Sequence, residues 1–71
     1  MTDINALKLA IKDSGLSMTK IAEKTGIMRA TLYNRLNGIG EFTASEIVAL
    51  TKCLNLERKA RDEIFLSDKL N

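Results

Sequence analysis

Between Ser17 and Gly38 the chain has room for two short helices joined by a tight turn, and for little else. Ser17 is a favourable N-cap, because its hydroxyl can accept a backbone N–H that the first turn leaves free. Met18 to Thr25 follow as a helical run of eight residues, and Gly26 stops it. A helix of that length does not persist alone in water. It must be held by packing, through Ile21, Ala22 and Thr25. After Gly26-Ile27 a third helix is expected from about Met28 to Asn37, with Gly38 and Gly40 ending it. Leu32 and Leu36, four apart, lie on one face of it. Ala22 lies four residues before Gly26, where a small side chain lets the later helix cross closely over the earlier one. Gly26 adopts the left-handed turn conformation at no steric cost. Ile27 and Leu32 are the apolar residues expected to lock the crossing at a steep angle.

The remainder reads as three more helices. The first runs from about Asp3 to Ser14, with Ile4, Leu7, Ala10 and Ile11 forming one apolar stripe and Gly15 ending it. Asp3 places a carboxylate where the helix dipole favours it. The fourth opens on Thr43-Ala44-Ser45-Glu46, which fits a capping box, and continues through Ile47, Val48, Leu50, Thr51 and Leu54. The fifth runs from about Glu57 to Leu66, with Ala60, Ile64 and Phe65 expected inward. The apolar residues are mainly Leu, Ile and Ala, which suit helices better than strands. The expectation is an all-α fold over residues 1–71, one compact domain of five helices.

Charge is uneven along the chain. Residues 14–40 carry Lys20, Lys24, Arg29 and Arg35 against Glu23, a balance of +3, whereas residues 41–51 carry Glu41 and Glu46, a balance of −2. A basic centre beside an acidic segment suits a one-sided surface for a polyanion. Other chemistry finds little support. There is no His, the commonest general base and metal ligand, and the carboxylates and single cysteine have no metal-ligand spacing. Gly38-Ile39-Gly40 follows a helix, whereas a nucleotide-binding loop follows a strand. No enzyme activity, cofactor or metal is expected. Cys53 has no partner for an internal disulfide and reads as a small apolar residue of the fourth helix. Neither a signal peptide nor an apolar run near ~20 residues is seen, so the expected location is cytoplasmic, with no membrane partner.

Two short helices fixed at a steep angle form a helix-turn-helix, whose second helix stands out far enough to enter a major groove. Gly15-Leu16-Ser17, Ile21-Ala22-Glu23-Lys24, Gly26-Ile27, Thr31-Leu32-Tyr33 and Leu36-Asn37-Gly38 together resemble the helix-turn-helix of Cro and phage-repressor proteins, the xenobiotic-response-element class. The resemblance extends to the first helix and to Leu50-Thr51-Lys52-Cys53-Leu54-Asn55-Leu56. Glu63-Ile64-Phe65 is similar to the tail of small phage-type members. It implies a five-helix, lambda-repressor-like bundle and a transcriptional regulator, Cro-like or repressor-like, that reads operator DNA with the third helix.

By that resemblance the base-reading positions match Arg29, Ala30, Tyr33 and Asn34, and the phosphate-holding positions match Ser17, Met18 and Thr19, with Asn37 and Gly38 after the third helix. The residue types bear this out in part. Arg29 can donate two hydrogen bonds to guanine, and Asn34 can pair in the same way with adenine. Lys20, Arg35 and Lys24 can neutralise phosphates, and Thr31 can meet a phosphate or a thymine methyl. Tyr33 suits either a groove-facing or a half-buried position. The chain also departs from the family pattern. Met18 stands where a polar residue is common, Ala30 offers only apolar contact, and Arg35 stands where many members carry an apolar core residue. These departures leave a second reading open, a protein-binding modulator or co-repressor that pairs with another repressor. Ile39, Phe42, Phe65 and Leu70 are expected as core or cover, with a protein interface as their alternative use. A homodimer on two-fold DNA is expected from the small footprint of one copy.

Overall fold

Side-chain capping sets where three of the described helices begin. A computed structural model describes residues 1–67 and contains α1 (Ile4–Ser14), α2 (Met18–Thr25), α3 (Arg29–Leu36), α4 (Ala44–Cys53) and α5 (Arg58–Phe65). No strand occurs among the described residues. Asp3 Oδ1 accepts the Ala6 N–H at 3.1 Å, and Ser17 Oγ accepts the Lys20 N–H at 3.1 Å. At α4 the capping box is complete. Thr43 Oγ1 accepts the Glu46 N–H at 3.2 Å, and Glu46 Oε1 accepts the Thr43 N–H at 2.9 Å. Thr43→Ala removes half of that exchange and is expected to cost about 1 kcal/mol. In a domain of this size such a loss lowers the melting temperature by roughly 4–8 °C, readable by far-UV circular dichroism.

The turn between α2 and α3 follows the expected design and adds a detail. Gly26 has φ +75°, and its N–H donates to the Ala22 carbonyl at 2.9 Å. Thr25 is half-buried, and its hydroxyl also ties the turn. It donates to the Ile21 carbonyl at 2.7 Å and accepts the Ile27 N–H at 3.2 Å. The Gly26 and Ile27 N–H groups are therefore both satisfied as the chain leaves α2, and Ile27 is delivered into the core.

Every helix sends at least one apolar side chain to a common centre. Leu7, Ile21, Leu32 and Leu50 are fully buried, and Ile27, Leu54, Ile64 and Phe65 complete the core. No polar side chain is fully buried among the described residues, so the core carries no isolated polar side chain. Helix α2 packs on both α3 and α4, and α1 packs on α5. The Asp3 N–H donates to the Ile64 carbonyl at 2.7 Å, which joins the start of the chain to α5. Helix α3 ends one residue earlier than expected. Asn37 is its C-cap, with its N–H shared between the Tyr33 and Asn34 carbonyls, and Gly38 follows at φ +82°.

Of the two uses expected for Phe65, core and interface, the structure shows the first. Phe65 is 3% exposed and belongs to the core, so it is not part of any surface for a partner. Phe42 is half-buried and meets Phe65 edge to face, with ring centroids 5.7 Å apart and planes at 85°. That arrangement is the favoured one for two rings whose edges are positive and faces negative. Phe42 thus anchors the segment between α3 and α4 to the core. Ile39 remains 60% exposed, and Leu70 lies outside the described residues.

Candidate nucleic-acid interface

Helix α3 buries only Leu32, which is 1% exposed. One buried residue in eight defines an inner line and leaves the opposite face to solvent. Arg29 and Tyr33 are four apart, as are Ala30 and Asn34, and all four are exposed. Tyr33 is 49% exposed, so about half of its surface is open to solvent on this face. The four expected base readers therefore share one free face.

Arg29 has a partner on α2. Its Nη1 donates to Thr19 Oγ1 at 2.8 Å. Two residues expected to contact DNA differently, one at bases and one at phosphates, are thereby brought together across the turn. The remaining guanidinium donors of Arg29 keep their capacity for a ligand. Lys20 is exposed beside Thr19, and Lys24 is exposed one turn further along α2. Among the described residues, neither these lysines nor Arg29 joins an ion pair. Arg61 pairs instead with its neighbour Asp62, at 2.8 Å on the surface, and such pairs contribute little. The cations of the α2–α3 face thus stay unneutralised, as a phosphate-binding surface requires.

Three expected phosphate contacts are placed otherwise. Met18 is half-buried and packs against the core, so its side chain serves the fold. The backbone N–H groups of Met18 and Thr19 still point out of the first turn of α2, where no intrahelical acceptor exists. Thr31 is half-buried and lines a hollow with Thr25, Met28, Ser45, Glu46 and Ala49. It faces α4, because residue 31 sits roughly 200° around the helix from residue 29. Arg35 is half-buried and turned onto the segment after α3. Its Nε donates to the Glu41 carbonyl at 3.1 Å, and its Nη1 donates to the Ile39 carbonyl at 3.2 Å. Ser17 is exposed but its hydroxyl is the α2 cap, and Asn37 is exposed at the end of α3.

Met28 joins this face without having been among the expected site residues. It is 73% exposed at the N-cap of α3 and makes no side-chain cap there. The signal was present: an apolar residue stands where Ser, Thr, Asp or Asn would satisfy a free N–H. The start of α3 consequently presents unsatisfied backbone donors beside Arg29, next to an apolar side chain.

Comparison with known families agrees with this geometry. A family model described as Helix-turn-helix matches residues 7–59, from the middle of α1 to the start of α5. No curated protein and no solved structure matches the chain. No helix among the described residues is long and apolar enough to cross a membrane. The chain belongs to the Cro/repressor-type helix-turn-helix family and is a DNA-binding regulator of that kind.

Proposed function

We propose that this protein is a sequence-specific transcriptional regulator that reads operator DNA with α3 in the major groove. The observation that carries the reading is the shared exposed face of Arg29, Ala30, Tyr33 and Asn34. Arg29 suits guanine, Asn34 suits adenine, and Ala30 and Tyr33 offer apolar contact to thymine methyl groups. Lys20, Lys24 and the first-turn N–H groups of α2 hold the flanking phosphates. One copy presents few readers, so two copies on a two-fold operator of a phage or prophage type supply the specificity that one lacks.

Selection of binding sites from random duplex DNA, followed by titration in rising salt, tests the reading. A real footprint gives an enriched sequence and a log–log slope of ~0.9 for each phosphate neutralised. Failure of the protein to be retained on any duplex at low salt overturns the proposal.

A second reading draws on one observation: Met28 and Ile39, both strongly exposed, stand at the two ends of α3. Apolar side chains there suit a protein surface, such as that of a larger repressor. This reading stands if the protein ignores DNA but co-purifies with such a repressor from its source cell.

A further inference from the structure

We propose that Arg35 is a positioning residue, a clamp that sets the loop between α3 and α4 for DNA and makes no phosphate contact of its own. The inference rests on the reading of α3 as the DNA-reading helix. Its basis is a pair of hydrogen bonds from one guanidinium to two carbonyls of the same short loop, Ile39 at 3.2 Å and Glu41 at 3.1 Å. A planar guanidinium spans two acceptors two residues apart, which a lysine ammonium cannot do with the same geometry. Phe42 anchors the far end of the loop to the core, but the stretch from Gly38 to Glu41 has few other ties. Ile39 N–H donates to the Asn34 carbonyl at 2.8 Å, and Gly38 N–H to the Arg35 carbonyl at 3.1 Å, but Gly40 and Glu41 N–H meet no acceptor among the described residues.

Gly40 completes the device. It has φ +79°, and a Cβ built on it would lie 2.5 Å from Arg35 Nη1 and 2.9 Å from its Cζ. The guanidinium therefore lies in the space that any side chain at residue 40 would fill. Gly38 offers a matched contrast. Its φ is +82°, yet a Cβ there meets only Ile4 Cδ1, at 3.9 Å. Substitution at Gly38 brings backbone strain alone, whereas substitution at Gly40 brings the same strain and also evicts Arg35.

The loop lies directly after the reading helix, so its placement fixes how Asn37 and the free N–H groups of Gly40 and Glu41 meet the DNA backbone. Clamping by Arg35 preorganises those donors and spares the ordering cost on binding. This also accounts for a cation at a position where the family resemblance implies an apolar residue. The side chain leaves the core side and satisfies loop carbonyls instead.

The test compares Arg35→Lys with Arg35→Gln in the full chain. As a clamp, Arg35 is missed equally in both. Each variant binds the selected operator about tenfold more weakly, as expected for two lost hydrogen bonds, with an unchanged salt slope. The protection of the Ile39 amide against hydrogen exchange falls in both, measured without DNA. Gly40→Ala adds little to Arg35→Gln beyond what Gly38→Ala adds. Three results overturn the proposal: Arg35→Lys at wild-type affinity, Arg35→Gln with a salt slope lower by ~0.9, or unchanged Ile39 protection in both variants. Melting curves of the variants identify any loss that is merely unfolding. If wild-type protein is not retained on DNA, the functional reading fails and the clamp's role in binding fails with it. Ile39 protection still decides separately whether the clamp exists.

Discussion

Leu32→Ala is expected to destabilise the fold by ~2–5 kcal/mol, the range for truncating a fully buried leucine. A helical domain this small has a net stability of only about 3–5 kcal/mol, so the variant stands near its own unfolding midpoint in plain buffer. The reason is specific to α3. Leu32 is the only fully buried residue of that helix, at 1% exposure, while Leu36 is half-buried. Eight residues without an anchor do not hold a helix. The loss therefore falls on the element that reads DNA as well as on the core. Urea unfolding followed by circular dichroism measures it, as a lower midpoint. Leu36→Ala serves as the comparison and is expected to cost less, because a half-buried side chain forfeits fewer contacts. Near-equal midpoints for wild type and Leu32→Ala would mean that α3 is held by something other than Leu32, and the packing account would be wrong.

The helix-turn-helix was legible because its determinants are local. Ser17 caps α2, Gly26 takes φ +75°, and Ile27 follows immediately into the core. Each of those features depends on neighbours within a few residues. The capping box at Thr43 and Glu46 was legible for the same reason. What escaped was the direction of side chains at the margins of α3. The helix carries a single fully buried residue, so its apolar stripe is too short to say which side Thr31 and Arg35 take. Thr31 turns to α4 because α4 lies there, and Arg35 turns to the loop because two carbonyls await it. Both facts depend on elements distant in sequence or on loop conformation. Phe65 shows the same limit. Near a helix end it was expected inward with an interface as its alternative, and its burial in the core, with Phe42 packed against it, decides between the two.

Arg29→Ala is expected to erase preference at one base position of the operator and to leave the rest of the footprint in place. A good bidentate pair with guanine discriminates by ~1–3 kcal/mol, roughly 5- to 150-fold between the right base and a wrong one. Thr19 Oγ1 holds one of the guanidinium donors at 2.8 Å, which limits how the side chain can swing. Thr19→Val is accordingly expected to blur the same position by a smaller factor, since Arg29 remains but loses its guide. The fold itself is indifferent to either change. Arg29 is exposed and, among the described residues, joins no ion pair, so its removal shifts stability by no more than about 0.5 kcal/mol. Lys20→Ala provides the opposite signature: uniform weakening on every sequence, with the salt slope lower by ~0.9. Affinities of each variant for the selected operator and its single-base variants, taken at two salt concentrations, separate the two roles. If Arg29→Ala instead weakens all sequences equally and lowers the slope, Arg29 holds a phosphate. The burden of recognition then falls on Asn34 and Tyr33, the remaining polar residues of that face.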